Sequence, residues 1–124
     1  MNSARVYYAH SMQIYNTERE CRELAFLKGI HPNLICPNND LGKIDKGMAG
    51  YLKIASWADK VICSEYKNHI GSGVFSEIEL ALKKNIPVYC LKKVKRKYKL
   101  LLVKGVYIID IFDPKINYAK VQLA

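Results

Sequence analysis

No two of the four cysteines, Cys21, Cys36, Cys63 and Cys90, form the close Cys-x-x-Cys pair that marks a thiol metal site or a redox motif. Isolated thiols fit free, mostly buried side chains in a reducing compartment better than a disulfide. No apolar run approaches the ~20 residues of a membrane-spanning helix. Nor does the chain open with a basic segment followed by a long apolar one, so the expectation is a cytoplasmic protein with no membrane partner. Also missing are the GxGxxG dinucleotide fingerprint, the GxxxxGK[ST] phosphate loop, internal repeats and low-complexity stretches. None of the three histidines has a carboxylate or cysteine at ligand spacing, and the sequence calls for neither a metal nor a cofactor. Acids are scarce: 11 Asp and Glu face 20 Lys and Arg, a net charge of +9. That balance favours anionic partners, whether nucleotide, nucleic acid or an acidic lipid surface.

What is present reads as one domain of 124 residues with a single core. Residues 5–9 (RVYYA), 33–36 (NLIC), 60–63 (KVIC), 87–91 (PVYCL) and 106–111 (VYIIDI) predict short strands rich in Val, Ile, Tyr and Cys. Between them, Thr17 and Glu20 stand at capping-box spacing before a helix that presents Cys21, Leu24, Ala25 and Leu27 and ends at Gly29. Met48, Leu52 and Ala55 predict a second helix, with Trp57 packed on the sheet, and residues 75–84 a third. The tail 113–124 fits a short helix or a last strand. Alternating strands and helices predict a small doubly wound, mostly parallel α/β sheet of four or five strands flanked by helices, flavodoxin-like in plan. The basic run from Lys92 to Lys99 reads as a solvated loop or as a nucleic-acid contact; only Tyr98 interrupts it.

In an open parallel sheet the ligand crevice lies beyond the carboxyl ends of the strands. Three loops converge there: 10–16, with His10 and Ser11; 37–47, with Asn38, Asn39, Asp40 and Asp45; and 64–73, ending in Gly71-Ser72-Gly73. A glycine-rich turn before a helix supplies backbone N–H groups and a positive helix end, which suit an anion. Glu77 and Glu79 follow, two residues apart and so about 200° apart on a helix. Glu77 faces the crevice, and Glu79 faces solvent or Lys83 four residues on. A carboxylate there suits attack at a sugar carbon bearing a nucleobase, or the orientation of water, and a second acid or donor helps the base leave. Asp40 and Asp45 are candidates for that role, whereas Asp59 lies at the wrong end of its strand. Asn38 or Asp40 fits a hydrogen bond to ribose or base as well as a turn. Tyr7 and Tyr8 alternate in direction, so one of them enters the site. His31 and His69 read as surface turn residues.

The segments RVYYAHSM, YLKIASWADKVICSE and GSGVFSEIELALKKNIPVYCL together resemble the nucleoside 2-deoxyribosyltransferase and 2'-deoxynucleoside 5'-phosphate N-hydrolase superfamily. The resemblance runs over residues 5–91 and rests on Ala58, Asp59, Gly73, Glu77, Ala81 and Pro87. It implies one deoxyribosyltransferase-like domain over 1–124, with Glu77 as nucleophile and Ser11 as a 5'-phosphate contact. The tyrosine of the first strand matches Tyr7 or Tyr8, and Tyr8 is taken here as the ligand contact with His10, Ser11, Asn38, Gly71, Ser72 and Gly73. A homodimer follows from the family habit of completing sites with a neighbouring subunit. Two positions depart from the pattern. Tyr51 stands where the family has its second acid and is, with Asp40 and Asp45, a candidate to act in its place, and Gly71 stands where the family has a phosphate-contacting serine, with Ser72 beside it. Three readings stay open: hydrolysis or transfer at the N-glycosidic bond of a nucleoside or nucleotide, nucleotide binding without turnover, and a basic nucleic-acid-binding or structural protein.

Overall fold

The computed structural model describes residues 4–40, 48–109 and 118–124. Strand β1 (Val6–His10) leads through a 3₁₀ turn at Met12–Ile14 into helix α1 (Glu18–Ile30). A one-turn helix α2 (Pro37–Asp40) and helix α3 (Met48–Ala55) precede β2 (Lys60–Ser64). Helix α4 (Ser72–Lys83), then β3 (Val88–Val94), β4 (Lys97–Ile108) and β5 (Ala119–Leu123) complete the order. The five strands form one sheet in sequence order. VYYA and VIC are neighbouring parallel strands, as the sequence predicts, and β3 lies parallel on the far side of β2. Beyond β3 the direction reverses: β4 and then β5 pair antiparallel.

The sheet is therefore mixed and curls into a half-barrel with about three substantial helices, and the expected doubly wound parallel sheet flanked by helices is not formed. Two local causes account for the difference. Pro32 and Pro37 bracket the NLIC segment, which reaches β1 only through an isolated bridge, with Tyr8 N donating to Ile35 O at 3.0 Å and Ile35 N to Val6 O at 2.8 Å. The strand that should have extended the sheet beyond β1 thus shrinks to one residue pair. At the other edge, the basic run makes a strand hairpin rather than a loop. Val94 pairs with Lys97 across Lys95 and Arg96, both at positive φ (50° and 67°), the backbone of the tight turn whose twist matches paired strands. That turn sends the chain straight back, leaving no crossover helix after β3. The ambiguous tail resolves as β5.

Two apolar clusters sandwich the sheet. One gathers Tyr7, Ala9, Val61, Cys63, Val88 and Cys90 against Val74, Ile78 and Ala81 of α4; the other gathers Val6, Tyr8, Ile62 and Leu91 against Leu27 of α1. The inner face of α1 differs from expectation. Its buried residues are Glu20, Glu23 and Leu27, while Cys21 is exposed and the helix runs through Gly29 to Ile30. Burial of the acids is tolerated because each is bonded: Glu23 accepts from Tyr8 O–H and from Arg19 Nε at 2.8 Å. Trp57, expected against the sheet, is 49% exposed and carries the Arg5 guanidinium 4.4 Å above its ring. His31 is buried rather than at the surface, its Nε2 accepting from Lys60 Nζ at 3.3 Å. His69 sits in an exposed turn, as expected, its Nδ1 against Lys67 O.

Candidate active site

A cavity of about 260 Å³ opens beyond the carboxyl end of β1, lined by Tyr7, His10, Ser11, Met12, Tyr15, Tyr51, Gly71, Ser72, Gly73, Val74 and Glu77. Each segment reaches it for a local reason. The Ser11 hydroxyl accepts from Gln13 N at 3.1 Å, capping the 3₁₀ turn that folds Met12 and Tyr15 over the opening. Helix α4 starts three residues earlier than predicted, so Gly71 is its N-cap and Ser72 and Gly73 lie in its first turn. A glycine cap makes no side-chain hydrogen bond, and the first-turn N–H groups remain available to whatever occupies the cavity.

Glu77 consequently falls in the second turn of the helix, past the first turn where the positive helix end acts most strongly. Burial dominates instead. The residue is 6% exposed, and desolvation lifts its carboxyl from its ordinary value of 4.5 to about 7, against the opposing hydrogen bond from Tyr7. Tyr7 O–H donates to Glu77 Oε2. Burial, then the Glu77 charge, pushes the Tyr7 phenol far up, so it remains a donor at any working pH. Tyr15 is raised by burial and then by Glu77 and Tyr51, so three phenols surround one carboxyl. Glu79 points away, 3.8 Å from Lys83 Nζ on the outer face, as its helical angle requires.

The expected site residues divide. Glu77, Tyr51, His10, Ser11, Gly71, Ser72 and Gly73 come together in the cavity, although they derive from three separate segments. Tyr8 does not line it: the two tyrosines alternate, Tyr7 enters, and Tyr8 lies on the opposite face, bonded to Glu23 and stacked on His10 at 4.0 Å. Asn38 is also outside, its Nδ2 donating to Glu20 Oε2 at 3.0 Å. Asp40 is exposed and takes the turn role, accepting from Cys36 N at 2.7 Å. Asp45 lies outside the described residues. Asp59 is remote, bonded to Arg5. Met12, Tyr15 and Val74 were missed; only their nearness to Ser11 and Gly73 marked them in the sequence. The thiols of Cys63 and Cys90 face each other across β2 and β3, and that bond together with burial holds Cys63 well above its ordinary value, unfit as a nucleophile.

Around the sheet from this cavity, a second groove of about 520 Å³ collects Arg19, Arg22, Lys67, Lys92, Lys93 and Tyr98 with Glu23 and Glu65. Lys92 is paired with Glu65, and Arg19 donates to Ser64 Oγ at 3.0 Å. Among the described residues no helix is long and apolar enough to cross a membrane. No protein-family model, curated protein or solved structure matches the chain, so the fold and the site stand on their own geometry.

Proposed function

We propose that the cavity takes a single nucleoside or nucleoside 5'-phosphate and that Glu77 acts at its N-glycosidic bond, by hydrolysis or by transfer of the sugar. The observation that carries this reading is the buried Glu77 carboxyl, held by Tyr7 and titrating near neutrality, in a small cavity beside the N-terminus of α4. A carboxyl that changes charge near pH 7 suits either task the reaction sets: attack at the sugar carbon when ionised, or proton delivery to the departing base when not. The volume, just under the ~300 Å³ lower end of ligand pockets, suits one nucleoside-sized unit. Tyr7 positions the carboxylate. Ser11 and the first-turn N–H groups of α4 provide the anion contacts that a 5'-phosphate needs. A homodimer that completes the cavity belongs to the same reading.

One feature favours the second reading, binding without turnover. Among the described residues lining the cavity, Glu77 is the sole carboxylate, and Tyr51 occupies the wall where a second acid is expected. The experiment that separates the two is incubation with a panel of deoxynucleosides and their 5'-phosphates, with and without an acceptor base, assaying free base and exchanged nucleoside. Base release or exchange by the wild type, its loss in Glu77→Gln with ligand binding retained, and little change in Glu79→Gln support catalysis. Binding with no product across the panel establishes the second reading. Equal affinity for a nucleoside and its monophosphate removes the phosphate contact.

A further inference from the structure

Behind the cavity wall, the fold assembles three donor atoms that the sequence keeps far apart. His10 ends β1, Glu20 lies in the first turn of α1, and Cys36 precedes α2; all three are buried, and their Nε2, carboxylate oxygen and Sγ lie within 4.8 Å of one another. Nε2 is 2.6 Å from Glu20 Oε2, and Sγ is 4.0 Å from the same oxygen.

The hydrogen-bond count around His10 is the decisive observation. Nδ1 faces the Tyr8 carbonyl at 3.2 Å and Nε2 faces the Glu20 carboxylate, so both ring nitrogens point at oxygens that accept. A neutral imidazole carries one hydrogen and cannot satisfy both. A cation between Nε2 and Oε2 resolves the conflict: Nδ1–H serves the carbonyl, and the Nε2 lone pair is free to ligate. A proton is the least such cation. The presence of a thiol at the same point makes a metal the better fit.

We propose that His10, Glu20 and Cys36 bind a divalent transition metal of the zinc class. One imidazole, one carboxylate and one thiolate form a mixed N/O/S set of the kind zinc accepts, and the two negative ligands neutralise a 2+ ion in a buried setting. With bonds of about 2.0 to 2.3 Å, tetrahedral ligands stand about 3.3 to 3.7 Å apart, so the 2.6 Å Nε2–Oε2 gap opens by about 0.7 Å and the 4.0 Å Sγ–Oε2 gap closes by a few tenths. Binding releases the Cys36 thiol proton, together with the proton between His10 and Glu20 when the ring is charged; nothing is oxidised or reduced.

The outer contacts are those of a held ligand set. Tyr8 stacks on the His10 ring at 4.0 Å, Tyr15 meets its edge at 4.9 Å, Asn16 N donates to Glu20 Oε1 at 3.0 Å, and the Asn38 amide stands between Glu20 and Cys36. The site is independent of the reaction assigned to Glu77. Because His10 also lines the cavity, the metal would fix the loop that carries Ser11.

Cobalt(II), a spectroscopic surrogate for zinc, provides the test on the untagged full chain after chelator dialysis. The expected result is one equivalent bound, a thiolate-to-cobalt charge-transfer band, and displacement of cobalt by zinc. Cys36→Ser should remove the band, and Glu20→Gln should weaken affinity by about 10- to 100-fold. Cys21→Ser, on the exposed face of α1, should change neither. No stoichiometric binding by folded wild type, or a band that survives Cys36→Ser, overturns the proposal. If Cys36→Ser does not fold, X-ray absorption of the zinc-loaded wild type decides: one sulfur with nitrogen and oxygen neighbours upholds the site, and any other sulfur count overturns it.

Discussion

Replacing Glu77 with glutamine should make the protein more stable, and only on the alkaline side. In the unfolded chain this carboxyl ionises near 4.5, in the folded chain near 7. Between those values the folded state keeps a proton that the unfolded state has lost, so stability falls as pH rises through the window and levels off above it. At about 1.4 kcal/mol for each pH unit, the ionised carboxylate costs the folded state about 3 kcal/mol once fully formed. The glutamine amide is neutral throughout, and its oxygen still accepts from Tyr7. Urea unfolding of both proteins, followed by far-ultraviolet circular dichroism from about pH 5 to pH 8, should give a stability difference that grows by about 2 to 3 kcal/mol in favour of Glu77→Gln. Comparing the two proteins cancels the titrations of His10 and His31. Parallel pH profiles, or a glutamine variant less stable than wild type near pH 8, would refute the claim that burial governs Glu77.

Tyr7→Phe removes a donor that holds the Glu77 carboxyl down, so the midpoint of the pH–rate profile for base release should move above about 7; a fixed or lower midpoint contradicts the pairing. Lys95→Asn with Arg96→Gly fits residues that tolerate positive φ into the hairpin turn and should stabilise the fold by about 1 to 2 kcal/mol in thermal melts. If the groove of Arg19, Arg22, Lys67 and Lys93 holds nucleic acid, affinity for single-stranded oligonucleotides should fall steeply with salt. Alanine at Lys67 or Lys93 should then reduce the salt slope by about one contact each, whereas salt-independent binding rules the groove out.

The sequence by itself determined the elements whose signals are local. A short run rich in Val and Tyr made β1, the apolar run VIC made β2, and Thr17 capped α1 through Glu20 N at 3.2 Å. The helical angle between Glu77 and Glu79 sorts one inward and one outward. Three properties were beyond it, each a matter of which distant groups meet. The sheet became mixed because the Lys95-Arg96 turn adopted a left-handed backbone that two cations do not advertise. Tyr7 rather than Tyr8 entered the cavity because the pleat has two faces, and nothing in alternation says which one the ligand loops cover. The meeting of His10, Glu20 and Cys36 arose from strand, helix and loop packing together, since ligand spacing along a chain is informative only when one element carries all the donors. Local propensity acts over a few residues, whereas charge, burial and coordination are set by neighbours in space, and those are fixed only when the sheet closes on its helices.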